Sequence, residues 1–123
     1  MTDMDWHFFL MVGLMVVVLL GLKRLGLVSV ETARTCLKQG ALVVDVRSAE
    51  EFKARHLANT VNIPLGELQN SLPRRVSDKN QVLLLHCLSG TRSGIAKRAL
   101  KAMGYTNVFN LGSYGRARRI LSQ

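Results

Sequence analysis

The chain has 123 residues, a formal charge of +9 and two cysteines. That length holds one compact domain and little more, and Cys36 and Cys87 supply neither a disulfide framework nor a paired zinc-ligand set, so a reducing compartment is the simpler reading. The charge is lopsided: Asp3 and Asp5 precede an apolar run and all 17 Lys and Arg follow it, so the chain from Lys23 onward carries +11, 17 basic residues less 6 acidic. A surface of that sign suits anionic lipid or a small anion. No basic stripe is interleaved with aromatics, which argues against nucleic acid.

Residues 8–22 contain only apolar side chains and two glycines. From Trp6 to Leu22 a helix would span roughly 25 Å, slightly short of a hydrocarbon core of about 30 Å. Trp6 at one interface and snorkelling Lys23 and Arg24 at the other would close the gap. A cleaved signal peptide carries its bases before the apolar run and a small-residue site after it; here acids come first and bases after. A core helix would not be apolar on every side. Residues 1–27 are therefore expected to be a single-pass transmembrane helix with its linker, and residues 28–123 a domain. The positive-inside rule puts the N-terminus outside and the domain in the cytoplasm.

In chain order, Ser29 is expected to cap a short helix that stops at Gly40. "ALVVDV" is a continuous apolar run, typical of a strand covered on both faces. Ser48 and Glu51 have capping-box spacing at the head of "SAEEFKARH". "NTVNIP" is a short strand closed by Pro64, "LGELQNSLPRR" a modest helix ending near Pro73, and "VLLLH" the most apolar strand. A helix from Arg92 or Ser93 to Met103 follows, then the strand in "GYTNVFNL" and a last short helix with Arg116, Arg118 and Arg119 on a solvated face, the alternative being that they rest with Lys23 and Arg24 on anionic lipid headgroups. Alternating strands and helices indicate an α/β fold, a three-layer parallel sheet with helices on both faces. Ligands of such sheets bind beyond the carboxyl ends of the strands, where Asp45 with Arg47, His56 with Asn62, and His86 with Cys87 are expected to converge.

Cys87 sits between a strand end and a helix start, in "HCLSGTRSG". Small residues there (Ser89, Gly90, Thr91) let the backbone curl into a nest whose free N–H groups bind anions. A thiol at its rim, near the cation Arg92, is expected to lose its proton more easily than free cysteine, with a pKa of about 8.5. The thiolate is the nucleophile. A buried cysteine at an ordinary turn is the plain alternative. Cys36, near Ala33 and Leu37, reads as inert core.

The run Cys87-Leu88-Ser89-Gly90-Thr91-Arg92-Ser93 resembles the active-site loop Cys-x-x-Gly-x-Arg of the rhodanese (sulfurtransferase) family. Residues 43–64, "VVDVRSAEEFKARHLANTVNIP", resemble that family's other signature, and "GYTNVFNLGS" its closing strand and turn. The resemblance implies a rhodanese-like domain in which Cys87 takes sulfane sulfur from a small donor anion or persulfide, holds it as a persulfide and passes it to a thiol or cyanide. It needs no cofactor and no metal. Leu88, Ser89, Gly90, Thr91, Arg92 and Ser93 would bind the substrate, with Asp45, Arg47, His56 and His86 in support. Related dual-specificity phosphatases carry His-Cys and five residues between cysteine and arginine, whereas this loop has four, Leu88 to Thr91. Sulfur is therefore the expected substrate. Two alternatives stay open: a non-catalytic binding module at the membrane, and a cysteine phosphatase or arsenate reductase. Relatives that use thiosulfate often place cations where Leu88 and Ser89 stand. Arg55 and Asn59 replace family glycines, and Gly112-Ser113-Tyr114 replaces a double glycine.

Overall fold

A computed structural model describes residues 2–122, with side chains described for residues 5–22 and 26–122. The expected positions of the Lys23 and Arg24 side chains fall outside the described ones. Helix α1 runs from Thr2 to Leu25. Residues 5–22 have a mean hydropathy of 2.0 and none of them is buried. It is long and apolar enough to cross a membrane by length and composition.

Helix α2 (Val30–Lys38) starts where expected, with the Ser29 hydroxyl accepting the Thr32 N–H. It is followed by β1 (Leu42–Asp45), α3 (Ala49–Ala54), β2 (Val61–Asn62), a 3-10 turn (Leu65–Glu67) and α4 (Leu68–Arg75). The chain continues through β3 (Leu83–His86), α5 (Thr91–Ala102), β4 (Val108–Gly112) and α6 (Tyr114–Leu121). Two expected boundaries move. Helix α4 continues through Pro73 to Arg75, because the carbonyl that Pro73 leaves unbonded belongs to exposed Gln69 and can be solvated. Helix α5 begins one residue earlier than expected, at Thr91, because Gly90 takes the capping position with φ +94°.

The four strands are parallel in the order β2-β1-β3-β4. Side chains alternate across the sheet. Val44, Val46, Leu83, Leu85 and Cys87 face a core with Leu68 and Leu72 of α4 and Ala96 and Leu100 of α5. Val43 and Leu84 face a second core with Ala33 and Cys36 of α2 and Ala117 and Ile120 of α6. The three-layer arrangement is thus present. It separates the two cysteines by the sheet, and burial pushes the Cys36 thiol up, as an inert core thiol requires.

Candidate active site

The loop after β3 is pinned on both sides. The Cys87 N–H donates to the Gly112 carbonyl at 3.2 Å and the Tyr114 N–H to the Leu88 carbonyl at 3.1 Å, while Ser89 forms an antiparallel bridge with Ser113. Gly90, in the left-handed region, turns its N–H back onto Cys87 Sγ at 3.0 Å. A Cβ on Gly90 would lie 3.3 Å from Gly112 Cα, so the loop and the end of β4 approach backbone to backbone. Ser93 Oγ lies 3.5 Å from Sγ and 3.2 Å from the Gly90 carbonyl, and its one proton serves either.

Burial acts most strongly on the Cys87 thiol and pushes its pKa up, but the Ser93 hydroxyl and the N–H groups of Ser93, Gly90 and Ser89 together outweigh it and hold the thiol below its ordinary value. Hydrogen bonds to a charged acceptor are each worth about 1.5–3 kcal/mol, enough in combination to overcome desolvation. Hydrogen-bond donors of the loop thus converge on the Cys87 sulfur. Its position differs from expectation: Cys87 is fully buried, at the floor of the loop and not its rim. Leu88, Ser89 and Thr91 form the exposed mouth.

Arg92 also differs. It is forked to Glu51, with Nη1 donating to Oε1 at 2.6 Å and Nη2 to Oε2 at 3.0 Å. The cation of the loop is therefore neutralised, and no Arg92 nitrogen hydrogen-bonds Sγ. Glu51 completes the expected capping box with Ser48 at the same time. The fork holds the Glu51 carboxyl at about 2, Arg92 being the main cause. Glu51 thus binds its proton less readily when folded. The stability this supplies is complete above the ordinary glutamate pKa of about 4.3 and is lost as pH falls toward about 2. Glu51→Gln is expected to melt a few degrees below wild type at pH 7 and level with it at pH 2, by calorimetry. The pair is partly exposed, so its contribution is on the order of 1 kcal/mol or less.

The supporting residues fall elsewhere than beside the thiol. Asp45, Arg47 and His86 reach the carboxyl end of the sheet but on the face opposite Cys87. The Asp45 carboxylate is fully buried and accepts the Arg47 backbone N–H at 2.9 Å, Nε at 3.0 Å and Nη2 at 2.8 Å. Arg47 Nη2 also donates to the Arg55 carbonyl at 2.7 Å, and its guanidinium lies 4.8 Å from the centre of the Tyr114 ring. His86 is fully buried against Tyr114, and burial lowers its pKa despite Asp45 Oδ2 at 3.9 Å from Nε2. His86 meets Cys87 through the backbone alone, Nδ1 lying 3.4 Å from the Cys87 carbonyl oxygen. His56 is not at the loop: it is exposed, stacks on Phe52 and donates from Nδ1 to the Phe52 carbonyl at 2.7 Å, closing α3. Asn62 ties β2 to the carbonyls of Asp45 and Arg47, both at 3.0 Å. Asn59 adopts φ +59°, in the left-handed region that asparagine tolerates better than most residues.

Two contributors were missed in the sequence. Glu51 is one. Buried Asn110 is the other: its Oδ1 accepts the Gly112 N–H at 2.8 Å and its Nδ2 donates to the Gly90 carbonyl at 3.3 Å. It thereby orients the peptide whose neighbour points at sulfur. The available signal was an Asn inside an otherwise apolar strand, where it is disfavoured unless its amide is used.

The model of the rhodanese-like domain matches residues 29–115. The chain belongs to the rhodanese-like family. Thiosulfate sulfurtransferase PspE of Escherichia coli (strain K12) is 41% identical over 69 residues, which cover 56% of this chain and 66% of PspE, just under two thirds of its length. Among solved structures, a rhodanese with anions from E. coli is 36% identical with a TM-score of 0.60, covering 63% of this chain and 91% of that one. The human single-domain sulfurtransferase TSTD1 is 28% identical with a TM-score of 0.62, covering 80% and 96%. This rhodanese-like fold thus has a Cys87 loop at the carboxyl end of its central strand.

Proposed function

We propose that this rhodanese-like chain is a membrane-anchored sulfurtransferase that carries sulfane sulfur as a persulfide on Cys87. The observation that carries the reading is the Gly90 N–H 3.0 Å from Sγ with the Ser93 hydroxyl beside it: donors aimed at an atom that must be anionic to react. The similarity to thiosulfate sulfurtransferase PspE makes thiosulfate the first donor to try. The Cys87 thiolate attacks the outer sulfur of thiosulfate, the Cys87–sulfur bond forms, the sulfur–sulfur bond of the donor breaks, and sulfite leaves with the electron pair. The added terminal sulfur is itself anionic and takes up the N–H groups of residues 89–93. An acceptor thiol or cyanide then attacks that sulfur and releases the thiolate. Because Sγ is covered, loading requires the Ser89–Gly90 segment to part from it locally.

In this reading Cys87 is the catalytic residue and Leu88, Ser89, Gly90, Thr91, Arg92 and Ser93 form the substrate cradle. Asp45, Arg47 and His86 position the strand ends beneath it, and His56 stabilises α3. Helix α1 is the single-pass anchor, with the N-terminus outside and residues 28–123 in the cytoplasm, following the bases that come after the span. Phosphoryl transfer is disfavoured, since it would use the loop arginine that Glu51 occupies.

The test is to incubate the full chain in detergent with thiosulfate or glutathione persulfide and analyse it by mass spectrometry. A gain of one sulfur atom on the peptide containing Cys87 is expected, and no gain with either donor would overturn the reading. The Glu51–Arg92 fork also makes a statement about the donor. Glu51→Gln keeps the capping geometry but returns a net positive charge to the loop. It is expected to speed loading from dianionic thiosulfate roughly threefold at low salt, the gain fading by about 0.5 M salt through screening. Stopped-flow sulfite release measures it, and an unchanged rate would mean that Arg92 already meets the donor.

A further inference from the structure

The membrane helix does not leave the domain on a loose tether. The Val28 N–H donates to the Asn110 carbonyl at 2.9 Å, and Arg116, expected on a solvated face, instead donates to the carbonyls of Val28 and Leu111. Leu27 packs against Gly112, where a Cβ would come within 3.0 Å of Leu27 Cδ2. Gly112 is the residue whose carbonyl holds the Cys87 N–H. The exit of the helix and the sulfur loop are thus joined through one residue of β4.

Two cavities record the same proximity. One, of about 180 Å³, is lined by Leu20 and Leu27 on one side and by Ser89, Gly90 and Arg116 on the other. The second, of about 350 Å³, is lined by Leu22 and Gly26 together with Thr91, Ile95, Lys97 and Arg98. Leu20 and Leu22 belong to the apolar span of residues 5–22, so the end of the span and the mouth of the loop share walls. Among the described residues outside α1, the exposed large apolar side chains are Val30, Leu88 and Ile95, and the last two, 56% and 50% exposed, flank the loop. Apolar side chains at a mouth that also carries Lys97, Arg98 and Arg116 fit the boundary between acyl chains and anionic headgroups.

We infer that the mouth of the Cys87 loop is seated on the bilayer surface and that the thiol receiving its sulfur is one carried at that surface. The inference rests on the anchored sulfurtransferase reading above. A donor such as thiosulfate must enter the nest itself and can be small and water-borne. An acceptor needs only its sulfur to touch the outermost sulfur of the persulfide, so its bulk stays on the rim, and the rim is apolar, cationic and walled by the span. In the transfer, the anionic outer sulfur of the Cys87 persulfide takes up the proton of the acceptor thiol, and the resulting acceptor thiolate attacks that sulfur. The new sulfur–sulfur bond forms on the acceptor, the bond to Cys87 breaks, and Cys87 leaves as thiolate. No external oxidant or reductant is needed.

The experiment uses the full chain in vesicles of phosphatidylcholine and phosphatidylglycerol with a minor fraction of phosphatidylthioethanol, loaded with thiosulfate. Transfer to the lipid thiol is compared with transfer to glutathione. Co-residence in one membrane raises any rate, so the decisive comparison is a variant with a ten-residue Gly/Ser insertion between Gly26 and Leu27, which stays anchored but lifts the loop. The insertion is expected to slow transfer to the lipid thiol about tenfold and to leave the glutathione rate within about twofold. Ile95→Glu, on the rim and outside the sulfur cradle, should shift the ratio in the same direction with the linker intact. If both changes leave the lipid-thiol rate unaltered in chains that float with the vesicles, the seating is wrong. If the wild-type chain does not float with the vesicles, the anchor itself is wrong; if it floats but takes up no sulfur, the persulfide is.

Discussion

Cys87→Ser is expected to abolish sulfur loading and to cut turnover by a factor on the order of 10⁴ or more, as loss of an enzymatic nucleophile does, while the fold persists. The substituted oxygen would occupy the same nest beneath Gly90 and Ser93. A hydroxyl there stays protonated at neutral pH, and among the described residues no other base stands beside it. His86 lies across the sheet with its pKa lowered by burial, and His56 closes α3 through Phe52. Oxygen also fails to form the sulfur–sulfur bond on which the proposed storage depends. Thiosulfate–cyanide turnover and intact mass read the activity. Urea unfolding should agree with wild type within about 1 kcal/mol, because one weakly bonded atom has changed. Cys36→Ser, in the opposite core, should turn over at the wild-type rate. Retention of loading by Cys87→Ser would mean that sulfur is carried elsewhere.

The second large effect concerns stability. Asp45→Asn is expected to destabilise the domain by about 3–5 kcal/mol, the usual cost of leaving one partner of a buried ion pair uncompensated. For a domain of this size that is a fall in Tm of roughly 15 °C or more. Arg47 is 5% exposed and depends on Asp45 for most of its hydrogen bonds, so its charge would lose its main counterion. The damage should reach the loop. Arg47 lies over the Tyr114 ring, and the Tyr114 N–H holds the Leu88 carbonyl; a drop in sulfur loading at temperatures where the variant is still folded is therefore expected. The double variant Asp45→Leu with Arg47→Met should recover much of the stability, since a buried pair and its apolar replacement are often nearly equal. A Tm within about 3 °C of wild type for Asp45→Asn alone would contradict the buried pair.

Much of this molecule was legible in the order of its residues. Ser29 and Ser48 announced two helix starts because a capping hydroxyl acts on N–H groups two or three residues away. Gly90 and the short polar residues around it announced a tight turn between strand and helix, and the thiol with converging N–H groups followed. The apolar span needed composition alone. Even the separation of His86 from Cys87 was available, since neighbours in a strand face opposite sides of a sheet; their shared position at a strand end hid it.

What remained depends on distances the chain itself does not encode. The Arg92–Glu51 fork joins residues 41 apart and exists because α3 and α5 are brought over one end of the sheet. Asn110 meets Gly90 only once β4 has paired with β3 in a register that shifts between Leu85 and His86. The burial of Cys87 and the contact between Leu27 and Gly112 likewise follow from how β4 closes the loop from outside. Short-range hydrogen bonding and hydropathy, acting over a few residues, determined the elements and the reactive turn. Strand order and register, which are global choices of packing, decided which charges neutralise one another, how deeply the sulfur lies, and that the long apolar helix ends beside it.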